Sequence, residues 1–221
     1  MRNSFGLLLA LAIFSLQAEA AIKPIYQDIK LPTQKVVEYQ AIANIAAASS
    51  NAVLTDSAGP TSASALVLSS GFSQPDVPRN LSVIPTATTA DVGTCTVTIA
   101  GTDILNDAIS ENFAFAANAS TATTGSKAFK TITSISFAAA CEDSPFGARW
   151  SVGLGEKVGV KRCMDKAGHI LFSTLNGAKE ATAPTMAADA SVVSLNTADY
   201  NGTMNGSNDF ELFFFQNFRC K

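Results

Sequence analysis

The feature that most restricts this chain is a strand-and-turn rhythm running from Pro78 towards the C-terminus. Residues 94–100 read Thr-Cys-Thr-Val-Thr-Ile-Ala, so Cys95, Val97 and Ile99 alternate with hydroxylated residues. Side chains alternate across a strand, and this stretch therefore predicts a half-buried strand with one wet face. Leu81 and Val83 give a short strand before it. Ile109, Phe113 and Phe115 share one face of the next run, as do Phe129, Ile135 and Phe137 of the one after. Trp150, Val152 and Leu154 alternate again. Residues 169–175 predict a strand closed by Asn176-Gly177, the strongest short hairpin signal. Val192-Val193 is expected in a further strand, and residues 210–218, apolar on both faces, in a central, fully covered one.

Turn chemistry fills the intervals, with Gly101-Thr102-Asp103, Asn106-Asp107, the polar loop 118–126, Asp143-Ser144-Pro145-Phe146-Gly147, Asn201-Gly202 and Asn205-Gly206. About eight strands at short, regular spacing predict an all-β fold, an antiparallel β-sandwich of Ig-like or jelly-roll-like type rather than a barrel. Composition agrees. Of 221 residues, 47% are hydrophobic and 15% charged, which is a core-forming balance. Ala, Thr, Ser and Asn at this density suit pleated sheets and tight turns better than long surface helices.

Ahead of the rhythmic region the signals weaken. Residues 21–78 are low in charge and rich in Ala, Ser and Pro, and read as an extended arm with short elements. Within it, 35–48 supports a helix, with Val36, Tyr39, Ala43 and Ala46 roughly on one face. It equally supports a strand, through Val36, Val37, Tyr39 and Ile42. Ala65-Leu66-Val67-Leu68 is a short strand candidate. Pro75 and Pro78 mark the clearest boundary, which places the sandwich domain at 79–221.

Residues 1–20 form a third segment. Arg2, the apolar run 5–16 and Ala18-Glu19-Ala20 reproduce the three parts of a secretory signal peptide, cleaved after Ala20 to leave Ala21 first. The alternative is an apolar arm that docks in an assembly. The run is shorter than the roughly 20 residues that span a bilayer, and nothing later is long enough, so no stable membrane span is expected. Cys95, Cys141, Cys163 and Cys220 make an even count with three possible pairings. Export predicts one or two disulfides, whereas assembly in a reducing cytosol predicts four buried thiols.

Chemistry is harder to find. Fifteen Lys and Arg against 18 Asp and Glu give a net charge of −3 with no basic run, which disfavours nucleic acid as a partner. His169 is the sole histidine and sits at a turn, so any Ser-His-Asp or Cys-His arrangement has one possible base; a solvated turn histidine is the simpler reading. No C-x-x-C occurs to suggest a zinc or redox site. Asp103, Asp107, Glu111, Glu142 and Asp143 lack the spacing of a calcium loop and read as turn acids. Gly153-Leu154-Gly155-Glu156-Lys157-Val158-Gly159 lacks the Lys-Ser/Thr of a phosphate loop and reads as a strand with glycine kinks. Sequons at Asn80, Asn118, Asn201 and Asn205 are expected by chance in so Ser/Thr/Asn-rich a chain. No catalytic, cofactor-binding or metal-ligating residue is nominated, and no cofactor is expected.

Three stretches taken together carry a resemblance. They are Pro78-Arg79-Asn80-Leu81-Ser82-Val83, then Val97-Thr98-Ile99-Ala100-Gly101-Thr102-Asp103, then the run from Gly125-Ser126-Lys127 through Ile135. With Ile109-Ser110-Glu111 between them and Val152 to Gly159 after them, they resemble a β-domain that recurs in virion structural proteins of tailed bacteriophages. The resemblance covers residues 75–159 well and the rest to Phe218 loosely. It implies a non-enzymatic capsid decoration, minor capsid or tail-associated protein, a homo-oligomer present in many copies. Its partner would be the major capsid protein or tail lattice, and its location the virion. The signal-like N-terminus and the four cysteines depart from that pattern. They point instead to a secreted β-sandwich adhesin or ligand-binding module. N-terminal sequencing of the native protein separates the two: export predicts a first residue of Ala21, and an assembled arm predicts an intact Met1.

Overall fold

The computed structural model describes residues 37–60, 65–86, 92–141 and 148–215. All of these belong to one compact unit, Val36–Lys221. The segments 1–20 and 21–36, Glu142, Asp143 and Cys220 lie outside the described residues. The fold is an all-β, antiparallel sandwich. Among the described residues there are fourteen strands, and only short 3-10 turns between them.

One sheet holds β3 (Leu66–Leu68), β8 (Thr131–Phe137), β5 (Cys95–Thr102) and β6 (Ala108–Phe115) in that order. The second holds β12 (Thr185–Ala187), β13 (Thr197–Asp199), β9 (Arg149–Gly159), β4 (Arg79–Pro85) and β7 (Thr123–Thr124), with β2 (Ser49–Ala58) also paired to β9. The third orders β1 (Val37–Ile42), β14 (Phe210–Phe215), β10 (Ile170–Leu175) and β11 (Ala178–Lys179).

Burial follows the alternation. In β5 every second residue is buried, beginning at Cys95, and Val97 and Ile99 are fully enclosed. They meet Phe113, Ile135 and Phe137 from the same sheet and Leu81, Val83, Trp150 and Val152 from the second. Phe115 meets the Trp150 ring edge-on at 5.0 Å. A second core lies under the third sheet, where Phe210, Leu212 and Phe214 pack with Val158, Ala198 and Met164. The long strand β9 serves both cores, with Trp150, Val152 and Leu154 in the first and Val158 in the second. Burial of a large apolar side chain contributes roughly 1.5–3 kcal/mol, so both cores draw heavily on this one strand.

The outer face of the third sheet carries an aromatic ladder. Phe213 stacks on Tyr39 at 5.9 Å and on Phe172 at 4.5 Å, and the Lys179 ammonium lies 5.3 Å from the Phe172 ring. Cross-strand aromatic pairs of this kind contribute about 0.2–1 kcal/mol each. The ring faces of Phe213 are taken up by its neighbours. The Cys95–Cys141 disulfide ties the turn Ala139–Cys141 to the start of β5 across 46 residues, a loop whose closure is worth about 4 kcal/mol of chain entropy. Cys163, fully buried, is also disulfide-bonded.

Several expectations meet a different outcome. The stretch read as an arm contributes three strands that pair far along the chain: β1 with β14, β2 with β9 and β3 with β8. Strands from residues 37–58 and 66–68 are thus built into all three sheets, and β1 settles the open choice between helix and strand. Val193 begins a 3-10 turn, Val193–Leu195, and not a strand. The reason is Asn196, whose amide donates to the Asp189 and Val192 carbonyls and whose oxygen accepts from the Met164 and Asp189 amides. β14 is central, between β1 and β10, but only one face is buried, because Phe213 lies on the half-exposed ladder side. Residues 216–218 lie outside the described residues.

The deepest polar group is Arg79, at 0% exposure. Its Nε donates to the Gly155 carbonyl at 2.8 Å, and Nη2 donates to the same oxygen. Nη1 donates to the Ala46 carbonyl at 2.9 Å and to Asp76 at 3.3 Å, and Nη2 rests 3.7 Å from Met204 Sδ. Burial lowers the guanidinium pKa from its ordinary value, and Asp76 opposes that shift. The group stays charged in proteins. Removing it strands the buried Gly155 carbonyl, the part-buried Ala46 carbonyl and Asp76. Arg79→Ala is expected to lower the unfolding free energy by about 3–5 kcal/mol in urea titration, whereas Asp76→Asn, at a half-exposed partner, should cost about 1 kcal/mol. Equal, small effects would show that the guanidinium does not organise this region.

Candidate binding groove

The site begins with a mismatch in register. On β4, Arg79 pairs with Val158 and Leu81 with Leu154, so two steps on β4 face four on β9. The extra residues make β9 bulge over Gly155–Lys157. Bulges break the ladder locally and leave main-chain groups to be satisfied by other means. Here the neighbours Arg79 and Asn80 do so. Arg79 takes the Gly155 carbonyl. Asn80 accepts from the Lys157 amide at 2.9 Å and donates to the Gly125 carbonyl at 2.9 Å.

The opposite edge of β9 is interrupted at the same place. Strand β2 pairs up to Ser49↔Leu154, and β13 starts from Asp199↔Lys157. Gly155 and Glu156 have no paired residue between them. This interruption opens two adjoining cavities of about 360 and 390 Å³ that share Ala48, Glu156 and Asp199. Ser49, Ser82 and Thr124 line the first, and Asn201 and Thr203 the second. Glu156 is exposed, while Lys157 and Asp199 are half-buried. Among the described residues, none of these three side chains forms a hydrogen bond or ion pair.

The glycines follow from this geometry. A Cβ at Gly155 would collide with the Asn80 carboxamide, coming within 2.6 Å of its Cγ, and one at Gly153 would collide with the Ser49 carbonyl. The Gly-rich run is therefore close-packed strand, in keeping with its sequence reading and with no phosphate cradle.

The described residues weighed from sequence are not gathered into one site, and Asp103 and Glu111 are engaged by main-chain amides. His169 ends the turn Ala167–His169, with Nδ1 3.3 Å from Asp165. Asp103 accepts from the Leu105 and Asp107 amides at 2.8 and 3.0 Å, which closes the β5–β6 turn. Glu111 accepts from the Ser126 amide and hydroxyl at 2.7 and 2.9 Å. No group of three or more metal-ligating side chains occurs among the described residues. Asn80 is buried and bonded, so its sequon is closed, while Asn118, Asn201 and Asn205 lie exposed. Sequence reasoning missed Arg79, Asn80, Glu156 and Asp199. The available signal was an Arg-Asn pair at the head of an apolar strand, where a solvated residue would be ordinary and a buried one needs partners.

Fold and geometry together define an all-β sandwich protein with an extended groove at a strand bulge. Comparison of the chain with protein-family models, with curated proteins and with solved structures finds no match. The bulge gives its own check. Gly155→Ala should cost about 1–3 kcal/mol through the Asn80 collision. Gly168→Ala, which meets nothing within 4 Å, should change stability by less than about 0.5 kcal/mol. Thermal melts of the two variants make the comparison, and equal melting temperatures would sink the packing account.

Proposed function

We propose that the protein is a non-enzymatic structural component of a virus particle, a decoration or minor capsid protein that sits in many copies on the capsid or tail lattice. One observation carries the reading beyond the order of the motifs. The stretches that resemble the phage β-domain supply a single packing unit: Leu81 and Val83, Val97 and Ile99, Phe129 and Ile135, and Val152 and Leu154 all belong to the first core. The likeness thus concerns one sandwich and not unrelated fragments. The buried polar side chains support a structural role, because Gln40, Arg79, Asn80, Asp103 and Asn196 are each spent on main-chain groups. Attachment in many copies makes modest single contacts sufficient.

A second reading has its own support. The Cys95–Cys141 disulfide favours an oxidising compartment, and with the signal-like residues 1–20 it fits a secreted adhesin or ligand-binding module. Quantitative mass spectrometry of particles purified from a producing culture decides between them. The virion reading expects this chain in the particles at many copies each. Its absence from particles, with recovery from the medium, would overturn that reading and leave the secreted one.

A further inference from the structure

We infer that the twin cavities at the β9 bulge form a binding site for a neutral saccharide of one or two sugar units, held by Glu156, Asp199 and Lys157. This goes beyond the virion reading and is independent of which assembly or compartment holds the chain.

The size is that of a small-ligand site, since cavities of about 360 and 390 Å³ meet at Ala48, Glu156 and Asp199. The chemistry is more selective than the size. Several charged side chains beside the strands are engaged: Glu38 with Lys161 and Arg162, Asp56 with Arg149, Glu111 with Ser126, Glu211 with Thr174. Around the groove the Glu156 and Asp199 carboxylates and the Lys157 ammonium have no such partner. Lys157 and Asp199 even face each other in register across β9 and β13, yet form no ion pair. Two acceptors and one donor thus line the same pair of cavities without pairing with one another.

Three ligand classes can be compared on this geometry. An apolar ligand would cover the carboxylates and the hydroxyls of Ser82 and Thr203 without pairing them, and an unpaired buried polar group is costly. An anion would meet two carboxylates against one accessible ammonium, because Arg79 is sealed beneath the bulge. A neutral saccharide fits both kinds of partner. Its hydroxyls donate to the carboxylates and accept from the ammonium, and its ring carbons can rest on Leu154 and Ala48, which line the first cavity. The rigid frame under the groove suits such a ligand. Arg79 and Asn80 fix the Gly155–Lys157 backbone, so Glu156 and Lys157 project from a set position and little ordering is required on binding.

The test uses the disulfide-intact full chain and saturation-transfer NMR with maltose, lactose and diacetylchitobiose as neutral probes, and sialyllactose as the anionic control. At least one neutral probe is expected to bind with a Kd in the range of about 0.1–5 mM. Asp199→Asn and Glu156→Gln should each weaken that binding about tenfold, the loss of one charge-assisted hydrogen bond. Ala48→Phe, which fills the junction of the cavities, should abolish it. Melting curves matched to the parent chain confirm that each variant is folded, and Asp199→Asn and Glu156→Gln are isosteric replacements at solvent-accessible positions. Absence of binding by all neutral probes, binding indifferent to Asp199→Asn and Glu156→Gln, or tighter binding of sialyllactose than of lactose would each overturn the inference. A chain found on particles but inert towards sugars loses this inference and keeps the virion reading; the reverse result separates them the other way.

Discussion

The buried guanidinium of Arg79 holds together four parts of the chain that lie far apart in sequence. Its donors meet the carbonyls of Ala46 and Gly155, the carboxylate of Asp76 and the sulfur of Met204. These come from the entry to β2, the β9 bulge, the loop before β4 and the loop before β14. Desolvating a charge is expensive, and a fully enclosed arginine is tolerated only when nearly every donor is taken. Arginine's flat, many-donor head suits the task better than lysine's point charge, since it serves two carbonyls and a carboxylate in one plane. The bulge can exist because this group answers the carbonyl that the bulge frees. Asn80, the next residue, answers the freed amide.

The same constraint explains how two cores coexist in one sandwich. β9 runs from the first core to the second, and its bulge lies between Leu154 and Val158, where one core gives way to the other. A regular strand would keep one face inward along its whole length. The bulge lets β9 change partners, from β2 on one edge to β13, while β4 remains on the other. The disulfide acts at the far end of the first core, where it fastens the turn Ala139–Cys141 to β5.

What the sequence revealed divides along physical lines. Strands β5, β6, β8 and β9 were legible because period-two alternation reports one buried face, and the β10–β11 turn because Asn176 and Gly177 both take positive φ, 50° and 78°. Strand β3 was legible as a short apolar run and β1 stood open between helix and strand, but β2 and the pairing of all three were hidden for two reasons. Their small, polar residues match several patterns, and their partners lie far away, as with Val37 against Phe215. Val193 was misread because its local β propensity is overruled by the four hydrogen bonds of the Asn196 side chain, which wind the backbone into a turn. The pairing of Cys95 with Cys141 is a matter of three-dimensional proximity, which spacing alone does not encode.

The groove belongs to the illegible part, and its origin shows why. Its walls come from Ala48, Ser82, Thr124, Glu156 and Asp199, which are brought together only by the order of strands around β9. None of them has a sequence context that singles it out. Yet the glycine spacing in Gly153-Leu154-Gly155 did carry information about the place, though not about a phosphate. Close approach of Ser49 on one side and Asn80 on the other forbids a side chain at either glycine. Glycines required by packing at a bulge and glycines required by a ligand look alike in sequence. The distinction rests on what occupies the space beside them, and here it is the chain's own backbone and the Asn80 carboxamide.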